Sequence, residues 1–319
     1  MLTSVSSQAH VRPRGSIVLV VLVVGVGWSL GAPDQALGQE VELRWQFQPG
    51  QELVYELTQV SDTETPTGTV TQTQVQTQRY TVLDVADDGT ARLGITTDRL
   101  RVVAETPMGR QEFDSEDPAA GSAELAMLGG MVGMSFEMTL GSDGRVEEVS
   151  GLDQMVDEMV EQMAQENPGA AGQMREMMEG MFGEDAMEST MQQGVQPLPR
   201  DPVAPGGGWE FSLTQPLGFG SLRTEAVYTL REVVEDEGRS VARIDVEGSI
   251  GDFEPEEGHP MGGMLEVSDG DLTGEIHFDI EAGVLSWSEV VTTIRMEAMG
   301  QGMTTRTSQQ MELKEIIQG

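Results

Sequence analysis

From Leu272 to Ile280 every second position is apolar or small (Leu272, Gly274, Ile276, Phe278, Ile280), and Thr273, Glu275, His277 and Asp279 hold the positions between. A period of two is that of a strand with one buried face. Ala242, Ile244 and Val246 alternate with Arg243, Asp245 and Glu247 in the same way, and Met303 to Ile317 reads as a more polar closing strand. Thr69 to Gln78 (TVTQTQVQTQ) carries strand-favouring Thr and Val but has little to bury, which places it at a sheet edge or under a cover. At Leu152 the period changes. Leu152, Met155, Val156, Met159, Val160 and Met163 recur at three- and four-residue spacing among acidic residues, which predicts an amphipathic helix stopped by Asn167-Pro168-Gly169. Met174, Met177, Met178 and Met181 stripe a second helix from Ala170 to Phe182, and a weaker third turn covers Asp185 to Gln192. Pro197, Pro199, Pro202 and Pro205 then dictate an extended connection.

The strand patterns occur twice in the same order. Pro49-Gly50 opens a stretch ending Leu57-Thr58-Gln59, and Pro205-Gly206 opens one ending Leu213-Thr214-Gln215, with aromatics opposite one another. Tyr80 to Val85 precedes an Asp88-Gly89 turn, as Tyr228 to Val233 precedes Glu237-Gly238. Phe136 to Leu140 turns at Asp143-Gly144 into Val146 to Val149, as Ile276 to Ile280 turns at Ala282-Gly283 into Val284 to Val291. Three matches in order argue for two related halves. The expected organisation is a signal segment over 1–38, a first β half over 39–151, a Met-rich helical insert and linker over 152–196, and a second β half over 197–319. The acidic stretches Thr106 to Ala123 and Gly251 to Gly263 read as surface loops.

Charge narrows the partners. With 18 Lys and Arg against 54 Asp and Glu the net charge is −36, so a polyanion is repelled and nucleic acid is excluded as a partner. The absence of Cys removes disulfides, thiol nucleophiles, thiolate metal sites and the acyl-acceptor residue of a lipoprotein. Arg12 and Arg14 precede the apolar run Ile17 to Trp28, which is short for a bilayer span, and Ala36-Leu37-Gly38 offers a small-x-small cleavage site. This outline predicts export, with the mature chain starting near Gln39 outside the cytoplasm; an uncleaved anchor leads to the same compartment. Of the 18 basic residues only Lys314 is lysine, a pattern of either a GC-rich genome or adaptation to high salt.

Candidate chemistry is sparse. The spacing Met174, Met177, Met178, Met181 and the group His259, Met261, Met264 resemble thioether sites for Cu(I), but methionine on one face of an acidic helix is more simply an adaptable apolar stripe. Glu275, His277 and Asp279 share one strand face and form an O,N,O candidate for a divalent ion, against the plainer reading of a solvated face. The Asp84, Asp87, Asp88 and Asp269, Asp271 groups fall at turns, where Asp is favoured for backbone reasons. No G-x-S-x-G or S-x-x-K motif occurs. No catalytic residue, metal or cofactor is expected, and Trp45, Trp209 and Trp287 are expected in the core.

Trp45-Gln46-Phe47-Gln48-Pro49-Gly50 before the first half and Pro205 to Trp209 before the second, with the Met-rich insert between, resemble an uncharacterised family of bacterial secreted proteins, a domain of unknown function. The resemblance supplies no active site. More remotely, a curved antiparallel sheet wrapped on helices is similar to the half-barrel of periplasmic lipoprotein carriers. The expected fold is mainly β with an α-helical insert: two pseudo-repeated antiparallel halves forming a curved sheet or half-barrel covered by Met-rich helices. The expected function is non-catalytic binding of a lipid or other hydrophobic molecule in the cell envelope, with Met155, Met159, Met174, Met177 and Met181 lining the cleft. The alternative is an envelope structural or protein-interaction module whose core is filled.

Overall fold

The computed structural model describes residues 39–107, 109–117, 121–122, 125–151, 184–217, 220–255, 265–298 and 300–319. The chain is mainly β, a single antiparallel sheet. Its strands are β1 (Glu52–Thr65), β2 (Gly68–Val85), β3 (Ala91–Thr106), β4 (Gly109–Asp114), β5 (Ser135–Leu140), β6 (Val146–Ser150), β7 (Gly208–Leu217), β8 (Gly220–Asp236), β9 (Arg239–Pro255), β10 (Leu265–Asp279), β11 (Val284–Ala298) and β12 (Gln301–Ile317). The spatial order is β6-β5-β3-β2-β1-β12-β11-β10-β9-β8-β7, with β4 paired beside the outer part of β3. Each run therefore winds outward or inward through neighbouring hairpins. The pairing of the first strand with the last joins them, from Glu52 opposite Ile317 to Glu64 opposite Thr304.

The sheet is not closed into a barrel by strand pairing, yet it must curl. Eleven strands laid flat at about 4.8 Å spacing would hold β6 and β7 roughly 48 Å apart, whereas the helix α1 (Glu184–Gly194) packs against both. A helix is only about 10 Å across, so the two ends approach one another with α1 between them. One apolar cluster accordingly draws buried residues from both ends, Val149 of β6 and Leu230 of β8 among them. The Gln192 side chain of α1 ties down the exposed edge at the turn before β6. Its amide N–H donates to Gly144 O and its Oε1 accepts from Val146 N–H, both at 2.9 Å. Those are the two bonds that a further strand would have made, and they blunt an otherwise open edge.

The floor of the rolled sheet is sealed by two extended segments. Residues 41–50 and 195–205 run beside each other through the Val41–Val203 bridge, and Leu43 and Leu198 are buried between them and the sheet. Trp45 N–H donates to Ser142 O and Gln46 N–H to Gly283 O, both at 2.9 Å, so one strap crosses the β5–β6 and β10–β11 corners in turn. Its close passage explains two glycines. A Cβ on Gly144 would lie 2.2 Å from Gln196 O, and one on Gly283 would lie 2.4 Å from the Gln46 Cβ, and both residues have φ near the left-handed region, 76° and 64°.

Local geometry recurs at the starts of β1 and β7. Gly50 N–H donates to Val82 O and Val82 N–H to Gln51 O; likewise Gly206 N–H donates to Leu230 O and Leu230 N–H to Gly207 O. One bulge lies between Val82 and Asp84 in β2 and another between Leu230 and Glu232 in β8.

Several expectations require correction. Thr69 to Gln78 is no edge: β2 is paired to β1 throughout that stretch and to β3 from Thr71 onward. Part of the expected loop Thr106 to Ala123 is the strand β4, and β9 extends through the start of the expected loop at Gly251, as far as Pro255. Trp287 is not in the core. It stands opposite Glu312 and His277 on the outer face, its ring centroid 4.9 Å from that of His277. Trp45 is buried and Trp209 half-buried, both packed in the cluster. The expected helices over 152–163 and 170–182 lie outside the described residues, and α1 corresponds to the weaker third turn.

Candidate functional site

Residues directly opposite one another in paired strands share a face, and neighbours along a strand alternate. The registers therefore trace rungs across the inner face. The lowest runs Leu230, Ile244, Ile276, Ser288, Met311, Leu57, Gln76, Leu100. Above it come Tyr228, Val246, Gly274, Val290, Gln309, Gln59, Gln74, Val102. The third is Phe211, Ala226, Gly248, Leu272, Thr292, Thr307, Ser61, Gln72, Ala104, and the fourth is Leu213, Thr224, Ile250, Gly270, Ile294, Thr305, Thr63, Val70. No Asp, Glu, Arg, Lys or His stands in these four rungs. An adjoining rung of the outer face reads Glu225, Ser249, Asp271, Thr293, Arg306, Asp62, Thr71, Glu105.

The inner face is also graded sideways. Its second-half strands β7 to β11 are mostly apolar in these rungs, and β3 and β4 contribute a second apolar cluster of Leu100, Val102 and Phe113 under Leu125, Leu128 and Val132. Between them, β12, β1 and β2 offer a neutral hydrogen-bonding stripe. Ser61 and Thr307 pair through their hydroxyls at 3.1 Å, as do Thr63 and Thr305. Among the described residues, no side chain pairs with the amides of Gln59, Gln74 or Gln309, which are half-buried.

A cavity of about 200 Å³ opens on the second-half side of this face. Phe211, Leu213, Val290 and Ile294 are among its apolar walls, Thr307 and Gln309 bring in the polar stripe, and Gln192 and Gln196 stand at its inner end. Tyr228 also lines it, stacked on Trp209 with ring centroids 5.6 Å apart. Burial pushes the Tyr228 phenol above its ordinary range, and deeper in the floor burial, then the neighbouring Tyr80, does the same for Tyr55, whose hydroxyl donates to Leu285 O at 3.0 Å. Both phenols thus stay neutral, and the inner face remains uncharged across ordinary pH.

Charge is concentrated outside. Arg79 joins Glu52 and Asp98 at 2.7 and 2.8 Å, and Arg231 joins Glu275 and Asp245 at 2.6 and 2.9 Å. The Glu275 carboxyl also meets His277 Nε2 at 2.7 Å; that hydrogen bond, with Arg231 adding to it, holds Glu275 below the usual carboxylate range. The O,N,O arrangement expected of Glu275, His277 and Asp279 does not converge. The Asp279 carboxylate is buried at the β10–β11 corner, where its Oδ1 accepts from the N–H groups of Glu281 and Ala282. Asp88 caps the Thr90 N–H at 3.0 Å, and Asp269 pairs with Arg295 at 2.5 Å, each serving its own strand end or surface.

Met155, Met159, Met174, Met177 and Met181 lie outside the described residues, as do His259, Met261 and Met264. The described cleft is instead lined by strand residues that were not singled out from sequence: Phe211, Val290, Ile294, Thr307, Gln309 and their neighbours. The polar part of that lining had a signal in β2 and β12, where the alternate positions Val70, Gln72, Gln74, Gln76, Gln78 and Met303, Thr305, Thr307, Gln309, Met311 carry no charge.

The fold and cleft define a class: an open antiparallel sheet rolled about a charge-free inner face, its ends bridged by a helix. The chain belongs to a family of unknown function, DUF6263, which matches residues 88–285, more than half of its length. The Pro205 to Trp209 stretch falls within the match, and Trp45 to Gly50 precedes it. No curated protein matches the chain. Among solved structures it is similar to lipovitellin, determined for its lipid–protein interactions, at 10% identity and TM-score 0.48 over 85% of this chain and 26% of that one. It is also similar to an outer membrane channel from Pseudomonas putida F1 (7% identity, TM-score 0.27, 88% and 98% of the chains). A DUF1329 family protein from Desulfovibrio piger matches at 8% identity and TM-score 0.15 over 82% and 84%. The chain spans about a quarter of the lipovitellin chain.

Proposed function

We propose that the protein is a non-catalytic carrier or receptor for a hydrophobic molecule, held in the cleft of the rolled sheet outside the cytoplasm. The observation that carries this reading is the pairing of a charge-free inner face with an unfilled, largely apolar cavity of about 200 Å³ inside it. A sheet that served only as a scaffold gains stability by filling such space, because cavities in packed cores cost free energy. Export through the 1–38 segment rests on its Arg-led apolar run and small-x-small site. Two related halves, 39–151 and 197–319, are supported by the recurring Gly50/Val82 and Gly206/Leu230 hydrogen bonds and by bulges at corresponding places in β2 and β8. The methionine stripe of the 152–196 insert, Met155, Met159, Met174, Met177 and Met181, is assigned the apolar cover of the cleft on its helical spacing. Adaptable thioether side chains suit a ligand of variable shape.

Uptake of an environment-sensitive hydrophobic dye tests the reading. Binding by the intact protein and about tenfold weaker binding by Ile294→Trp, whose side chain occupies the cavity, are expected. Equal dye uptake by the two proteins would refute the cleft as the site. Deleting residues 152–183 while keeping α1 tests the methionine cover: weakened uptake with an unchanged β spectrum supports it, and unaltered uptake removes it.

A further inference from the structure

Resting on that reading, we infer that the ligand is an uncharged amphiphile: an acyl or comparably apolar chain joined to a neutral hydroxyl- or amide-bearing head, in the manner of a monoacylglycerol. Fatty-acid anions, phospholipids and alkylammonium ions are excluded. The placement of polar groups in the cleft carries the inference. The wall formed by Phe211, Leu213, Val290 and Ile294 suits a chain, and Thr307 and Gln309 of the same cavity bring it to the stripe of β12, β1 and β2. That stripe presents donors and acceptors together. A primary amide offers both through separate atoms, and a hydroxyl both through one oxygen. Gln309, Gln59 and Gln74 stand side by side across three strands, with Ser61 and Thr307 one rung above.

An ionised head group fails on two counts. It would leave water for a face whose four rungs supply no opposite charge, and a buried charge without a partner is strongly disfavoured. An anion would also approach a chain whose net charge is −36. A cation meets the attractive field of the acidic chain but finds no carboxylate among the described residues of the cleft to receive it. A wholly apolar molecule such as an alkane would strip water from the Gln and Thr side chains and return no hydrogen bonds. Only a head that is polar and neutral satisfies both walls.

The experiment titrates the full-length protein with 1-oleoylglycerol, oleate, oleoyl lysophosphatidylglycerol and oleylamine, all below their aggregation concentrations, at mildly alkaline pH and by calorimetry. The chain is constant, so differences report the head group. 1-Oleoylglycerol is expected to bind about tenfold or more tighter than each charged analogue. Oleate should gain affinity as falling pH protonates it. Gln309→Arg should raise oleate affinity and lower that of 1-oleoylglycerol, whereas Gln309→Leu should weaken 1-oleoylglycerol without rescuing oleate. Circular dichroism confirms that each variant is folded. Oleate binding as tightly as 1-oleoylglycerol, in a manner blocked by Ile294→Trp, would overturn the head-group inference and leave the hydrophobic cleft standing. Absence of binding by all four compounds and by the dye would overturn both.

Discussion

The floor of the rolled sheet and the rungs above it are built from the same strands but follow different rules. Below, Leu43, Leu53, Phe278, Val284 and Leu285 are at most 1% exposed, and the two straps seal them in. Trp45 packs edge-on against Phe278 at 5.5 Å and parallel to Phe47 at 5.8 Å. Above, the middle strands of the inner face turn to half-buried Gln59, Gln74, Gln309, Ser61 and Thr307, and space is left open beside them. On the carrier reading proposed above, the difference separates stability from binding within one sheet: the filled floor holds the strands together, and the rungs above leave the cavity open.

Changes to the floor should have the largest effects. Phe278→Ala is expected to cost about 3 to 5 kcal/mol, from lost burial and the residual cavity, seen as a drop in denaturation midpoint, while ligand affinity of the folded fraction stays near that of the parent. A comparable loss from a substitution in the upper rungs would erase the distinction. Gln192→Leu leaves Gly144 O and Val146 N–H without their partner beside β6 and should cost about 2 to 3 kcal/mol. Hydrogen exchange should rise first in β6 and α1. Uniform exchange would mean that the seam is not locally held by that side chain.

In the upper rungs the expected order of effects reverses. Ile294→Trp should weaken dye or lipid binding about tenfold, some 1.4 kcal/mol, with a small change in unfolding midpoint. A large stability loss without an affinity change would assign Ile294 to the floor's role.

The outer face should respond least. Glu275 is held below its ordinary pKa, so its bond network adds stability that is present above the usual carboxylate pKa of 4.5 and disappears as pH falls through the lower folded value. Because its side chain is 35% exposed, screening should keep the contribution under about 1 kcal/mol. Comparing the acid limb of the stability profile with that of Glu275→Gln measures it. An acid limb unchanged by the substitution would show that the pair contributes nothing.

Much of the floor was legible in the sequence because burial imposes a period. Ile276 and Phe278 alternate with polar neighbours, and the Gly144 and Gly283 turns fall where two-sided close packing leaves no room for a side chain. The upper rungs were harder to read. In β2 the run Val70 to Gln78 alternates Gln and Val with Thr, so neither face is plainly apolar, and a central strand looks like an edge. The missing information is the neighbour: only the pairings Gln59–Gln74 and Gln59–Gln309 convert separate neutral residues into a stripe. The joining of β1 to β12 was equally invisible, since strand periodicity within each half does not specify which edge meets which. The outward position of Trp287 follows from register too, as one residue decides the face.

The claim that the inner face receives the ligand is tested most directly by fluorescence quenching with a monoacylglycerol carrying a brominated chain. Trp209 stacks on the cavity-lining Tyr228, whereas Trp287 stands on the outer face beside His277. Quenching should fall sharply in Trp209→Phe and persist in Trp287→Phe. Quenching that survives loss of Trp209 and disappears with Trp287 would place the ligand on the charged outer face and contradict the cleft.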